Sequence, residues 1–256
     1  MTEPSSSQLL GPSLTASQIT SAYKAERRAL AELVKSLSSE EWLSESACEG
    51  WTIGEVAAHC TLGDGIPWGV VRSVIREVGL AAGIERVQKR WAAEGINYVA
   101  DRLRSDEVSI YLRWGFGKWR VLSLVELVIH AEDIRRPLGR QRHRPLDPAL
   151  AAVLLEPMGR RVREIGVRGF VSLAPHGLPA RTYEVKPGRG ASLIREKPES
   201  PEPDAVISGD PLELILRLSG RPAKLTVEGD SESEFADATR EFAGARSENV
   251  GSMYWR

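Results

Sequence analysis

Glu126 and His130 stand four residues apart in VLSLVELVIHAEDIR, a stretch that reads as helix from about Trp119 to Arg136. At about 100° per residue their side chains leave nearly the same face, so both can reach one ion. Trp119, Ser123, Glu126, His130 and Asp133 follow one another in steps of four, three, four and three, the spacing of a bundle-facing seam that Leu or Val normally fills. A carboxylate and an imidazole buried there need compensation, which a divalent metal supplies. A Glu–His hydrogen bond or a surface ion pair supplies it too. Two ligands do not make a secure metal site, so the spacing alone favours those simpler readings.

His59 joins the pair only if its helix faces theirs, which periodicity does not show, and a lone helical histidine is more often a satisfied core residue. Glu55, one turn earlier, has a competing task, because Thr52 and Glu55 fit a capping box that opens the helix of His59. Cys60 points about 100° away from its neighbour and reads as a small buried residue. Asp133, one turn beyond His130, suits either the free ring nitrogen of that histidine or an ion pair with a bundle arginine. Arg135 and Arg136 project about 180° and 80° away from Glu126, which assigns them to the helix end or to the second domain. His143 and His176 lie in loop-like contexts and receive no role.

The elements that must position these residues are mainly helical in the first half. Thr15 and Gln18 fit a capping box, and Ile19, Tyr23, Leu30, Leu33, Val34 and Leu37 recur as one apolar stripe that ends near Ser38. A short turn and loop with Trp42 packed down follows, then the helix of His59. Further helices are expected over 67–80 and 84–103, then the loop RWGFGKW, then the helix of Glu126 and His130, stopped by Pro137 and Gly139. Past Arg140 the texture changes. A helix over 149–165 precedes short β-type runs at GFVSLA, RTYEVK, ASLIRE and DAVIS, a helix at PLELILRLSG and a strand at AKLTVEG. Strands and helices without strict alternation give an α+β fold. The expected organisation is a flexible tail over 1–14, a helical bundle over 15–143, an α+β domain over 144–245 with a terminal helix at 231–245, and a tail over 246–256.

The chain is 256 residues long with 34 basic and 35 acidic residues, a formal net charge of -1, so no global field favours nucleic acid. The N-terminus lacks the basic and apolar regions of a secretory signal, and no apolar run nears the ~18 residues of a membrane span. Two cysteines, Cys48 and Cys60, define neither a disulfide framework nor a common zinc finger, which suits a reducing cytoplasm.

The segments GWTIGEVAAH and VELVIHAEDIRRPLG resemble two hallmarks of the mycothiol-dependent maleylpyruvate isomerase family. ISGDPLELILRLSGR followed by LTVEGD resembles its small C-terminal α+β domain, so the resemblance runs over about residues 17–230. It implies a DinB-like four-helix bundle followed by a sterol-carrier-like α+β domain. It also implies a zinc ion, or another divalent metal, on His59, Glu126 and His130, with mycothiol, the low-molecular-weight thiol of actinobacteria, as the thiol cofactor.

Two imidazoles and one carboxylate leave zinc with net charge +1 and an open position, the mark of a catalytic site, and a thiol bound there loses its proton. The expected partners are that thiol and a small unsaturated or electrophilic acid, with no nucleic acid and no membrane. The thiolate adds to an activated cis double bond, the new single bond rotates, and elimination returns the thiol. Without elimination, or with a leaving group displaced, the same site is a mycothiol S-transferase, whose acceptor could be a larger metabolite. Arg221, in the Ser-Gly-Arg turn, matches an arginine that the resemblance places at the domain cleft, which makes it the candidate catalytic residue and contact for the substrate anion. A non-enzymatic module binding a hydrophobic ligand in the C-terminal half is the reading from another class. A di-metal carboxylate bundle needs two Glu-x-x-His motifs, and this chain has i,i+4 spacing instead.

Overall fold

The computed structural model describes residues 14–62, 80–105, 117–159, 161–162, 169–185, 191–193 and 202–229. The expected tails, the helices at 67–79 and 231–245 and most of the RWGFGKW loop lie outside them. The chain divides into two compact units, one running from Ala16 to Arg144 and the other starting at Pro145, and its class is α+β.

The first unit is helical. Helix α1, Ala16–Lys35, buries Ile19, Tyr23, Arg27, Leu30, Ala31 and Val34 along one stripe. Arg27 occupies a position that periodicity would give to an apolar residue. It is 2% exposed and donates Nε to Leu103 O at 3.2 Å and Nη2 to Arg102 O at 2.5 Å. Those carbonyls end another helix, where a cation and its donors are favourable. Helix α2, Ser39–Leu43, opens with a capping box in which Ser38 Oγ accepts from Glu41 N and Glu41 Oε2 accepts from Ser38 N.

Helix α3, Ile53–His59, opens with the expected box: Thr52 Oγ1 accepts from Glu55 N at 3.2 Å and Glu55 Oε2 from Thr52 N at 2.9 Å. Where one helix was expected over 84–103, two occur: α4, Leu80–Ala93, and α5, Ile96–Arg104. They break at Gly95, whose φ of 94° is open to glycine and strained for other residues. Helix α6, Gly117–Arg135, is buried on nearly every face: Leu124, Val125, Leu127, Val128, Ile129, Ala131 and Ile134 are all within 3% of full burial. A helix covered on nearly all sides belongs at the centre of a bundle. Accordingly α6 packs on α1 and on α3, while α1 packs on α5 and α3 on α4. Among the described residues no helix is long and apolar enough to cross a membrane.

In the second unit α7 spans Pro148–Gly159, and residues 160 and 163–165 of the helix expected over 149–165 lie outside the described residues. It is followed by β1, Gly169–Pro175, β2, Arg181–Val185, β3, Ala191–Leu193, β4, Ala205–Gly209, helix α8, Pro211–Leu218, and β5, Thr226–Gly229. They form one sheet in the order β3-β2-β1-β4-β5, antiparallel except for the β1–β4 pair. Alternate residues Ala205, Ile207 and Gly209 are buried along β4, the period of a strand with one covered face. Helix α8 packs on β1, β4 and α7 and buries Leu214, Ile215, Leu216 and Leu218.

Candidate metal centre

The second glycine of GWTIGEVAAH, Gly54, has a steric basis. Gly54 lies under the indole of Trp42, and a Cβ there would come within 2.5 Å of Trp42 Cε2. Trp42 Nε1 in turn donates to Ala92 O at 3.3 Å. The indole thus sets α3 against α2 and the end of α4, and His59 is the last residue of α3. Helix α6 supplies Glu126 and His130 one turn apart.

The packing of α3 on α6 brings these three residues together. Each offers a ligand atom, and all the atoms lie within 4.8 Å of one another. His59 Nε2 is 3.2 Å from Glu126 Oε1, and the two imidazole rings are 4.9 Å apart in an edge-on arrangement. The ring of Trp51 stands 5.1 Å from that of His59. His130 is buried, whereas the side chains of His59 and Glu126 keep 16% and 35% exposure, so the solvent side of the group lies at Glu126.

Both imidazoles are held from behind. Gln88 Oε1 lies 3.2 Å from His59 Nδ1, and Asp133 Oδ2 lies 2.9 Å from His130 Nδ1. An amide oxygen and a carboxylate can only accept, so Nδ1 is the donor in both pairs and Nε2 of each ring is left for the group. His59 Nε2 then faces a carboxylate oxygen, an arrangement that requires a cation between them, either a proton or a metal. Bonds of about 2.0–2.1 Å at tetrahedral angles separate two zinc ligands by about 3.4 Å, close to the His59–Glu126 spacing. Borderline nitrogen donors with one carboxylate are the donor set zinc takes, and the residues fit that group.

A second cluster shares His130. Cys48 Sγ lies 3.0 Å from Asp133 Oδ2 and 3.6 Å from His130 Nδ1, and all three residues are buried. A tetrahedral zinc would set a sulfur and an oxygen ligand about 3.5 Å apart, so the shorter spacing marks hydrogen bonds.

The remaining residues fall as follows. Glu55 caps α3 and belongs to neither cluster. Asp133 makes the expected bond to the ring nitrogen of His130. Cys60 is half-buried and outside both clusters; desolvation, then the charge of Glu126, pushes its thiol well above the usual thiol range. Arg135 pairs with Glu132 at 3.0 Å and Arg136 with the same carboxylate at 3.8 Å. Arg221 belongs to the other unit, where its Nη1 donates to Ser219 O at 2.8 Å. Sequence reasoning missed Gln88 and Cys48. Gln88 carries no local signal, since it sits in the polar-looking VQKRW, and Cys48 meets its partner only across 85 residues of chain.

Residues 23–110 match the family model described as the mycothiol maleylpyruvate isomerase N-terminal domain. Two solved structures are similar to the chain: a mycothiol-dependent maleylpyruvate isomerase at 15% identity and TM-score 0.45, and a histidine-to-alanine mutant of that enzyme at 16% and 0.46. Each match covers 84% of this chain and 93% of the other. No curated protein matches the chain.

Proposed function

We propose that this chain, whose residues 23–110 belong to the mycothiol maleylpyruvate isomerase N-terminal domain family, is a zinc-dependent, mycothiol-using enzyme that isomerises a small cis-unsaturated acid. The observation that supports this most is the convergence of His59, Glu126 and His130 with both imidazoles anchored at Nδ1. Zinc on these residues would carry net charge +1 with an open position, and would lower the pKa of a thiol from about 8.5 to below neutrality.

The chain's own residues have separable tasks in this reading. His59 and His130 each present one lone pair and are kept from rotating by Gln88 and Asp133. Glu126 supplies the negative charge that keeps the centre at +1 instead of +2, and its partial exposure leaves the approach for a thiol and an acid on its side. The ring of Trp51 packs beside that of His59. Cis–trans isomerisation by a thiol forms one C–S bond, allows rotation about the former double bond, and breaks the C–S bond again, so the thiol is regenerated.

Elemental analysis of the purified protein beside His59→Ala, Glu126→Ala and His130→Ala tests the centre. Near-stoichiometric zinc in the wild type and its loss in all three variants is expected, with a thiolate-to-metal band when mycothiol is added to the cobalt-substituted protein. Metal-free wild type, or metal indifferent to the three changes, overturns the reading. Turnover of maleylpyruvate with mycothiol regenerated identifies an isomerase; mycothiol consumed as a stable thioether identifies an S-transferase on the same centre.

A further inference from the structure

The segment between α2 and α3 is tied more closely than a connector requires. Ser46 donates both N and Oγ to Trp51 O, at 3.0 and 2.9 Å, and its Oγ accepts from Cys48 N at 3.0 Å. Trp51 N donates back to Cys48 O at 3.1 Å, Glu45 and Thr52 form an antiparallel bridge, and Gly50 turns the chain at φ 75°. Cys48, only 4% exposed, sits in the middle of this turn. The turn is tied to α6 through Asp133: Ala47 N donates to Asp133 O at 2.9 Å, and Cys48 Sγ donates to Asp133 Oδ2 at 3.0 Å.

Asp133 is 1% exposed, and a carboxylate so buried needs donors. His130 Nδ1–H and Cys48 S–H both point to its Oδ2. A thiol is a weak donor, so it fixes the carboxylate without withdrawing much of the charge that polarises the imidazole. A carboxylate held on two sides cannot rotate away from His130.

We propose that Cys48 is a positioning residue for the candidate metal centre: its S–H holds Asp133 in the rotamer that accepts from His130 Nδ1, which keeps His130 Nε2 available to the ion. This rests on the reading of His59, Glu126 and His130 as ligands.

The test is zinc affinity of the full chain by chelator competition, with thermal melts of the metal-free proteins alongside. Cys48→Ala and the similarly sized Cys48→Val, both without a donor, are expected to bind zinc about 10-fold more weakly, and Cys48→Ser, whose hydroxyl donates, to stay within about 3-fold of wild type. Asp133→Asn is expected to lose at least as much, with no further loss when combined with Cys48→Ala. Unchanged affinity in Cys48→Ala and Cys48→Val, a serine variant as weak as they are, or additive losses overturns the proposal. So does a sulfur-to-cobalt band in thiol-free, cobalt-substituted wild type that disappears in Cys48→Ser, since it marks Cys48 as a ligand. Glu126→Ala separates the two ways of failing. If it binds zinc like wild type, the ligand assignment falls and the proposal with it; if it loses zinc while the Cys48 variants do not, the proposal alone falls.

Discussion

Gln88 Oε1 lies 3.2 Å from Nδ1 of His59, across the contact between α4 and α3, while the other end of the same amide, Nε2, is buried with no hydrogen-bond partner among the described residues. Gln88 thus serves the histidine at some expense to the fold, because a buried unpaired donor is unfavourable by about 1–3 kcal/mol. Gln88→Leu should remove that unpaired donor together with the hold on the imidazole. The expected result is a urea midpoint equal to or above wild type with zinc binding about 10–100-fold weaker. Equal zinc affinity in the two proteins would show that His59 is oriented by something else.

Gly54 gives a steric prediction. A methyl group at this position would overlap the indole of Trp42, which is buried and also bonded to Ala92 O, so neither partner can give way easily. Gly54→Ala should destabilise the metal-free chain by about 1–3 kcal/mol, the usual range for overpacking, even though alanine is the better helix former. Denaturant unfolding measures this, and a stabilised Gly54→Ala would mean that Trp42 does not rest on α3.

Which parts of this molecule are legible in the sequence depends on how local their causes are. The Thr52–Glu55 box, the turn-spaced pair Glu126 and His130 and the strand runs of the second unit each depend on neighbours in the chain, and the structure has them where the pattern puts them. The break at Gly95 was less legible, since a glycine inside a helical pattern is compatible with continuation. Arg27, Gln88 and Cys48 were opaque for another reason. Arg27 bonds to carbonyls 75 and 76 residues away, Gln88 to a histidine 29 residues away and Cys48 to an aspartate 85 residues away, and nothing in a local window encodes such partners. The meeting of His59 with Glu126 is of the same kind, which is why the spacing of Glu126 and His130 alone left a metal and a simple hydrogen bond both open.

Arg27 tests the helical scaffold. Its guanidinium satisfies carbonyls at the end of α5 from inside the bundle, where water cannot replace it. Arg27→Met keeps the length of the side chain and leaves those carbonyls without these donors, so stability should fall by about 1–3 kcal/mol. Zinc content at saturating metal should stay at the wild-type ratio when measured well below the lowered melting temperature. A variant as stable as wild type would mean that the carbonyls find other donors.

Acid stability offers a check on α2. The bond from Ser38 N, and then Arg140, whose Nη2 donates to Glu41 Oε1 at 2.7 Å, hold the Glu41 carboxyl below the ordinary carboxylate range. A folded-state pKa below the unfolded value of about 4.3 means that the folded chain binds this proton less readily than the unfolded one. The associated stability is therefore complete above that unfolded value, declines as pH falls through the lower folded pKa, and is gone beneath it. Glu41→Gln removes the titration and keeps an oxygen able to accept from Ser38 N. The difference in melting temperature between wild type and Glu41→Gln should be constant from neutrality down to about pH 5 and shrink below about pH 4. The group is solvent-facing, so added salt should reduce the part due to Arg140 and leave the part due to Ser38. A gap that stays constant to the acid end would mean that Glu41 titrates alike in the folded and unfolded chains, and that the capping box owes nothing to its charge.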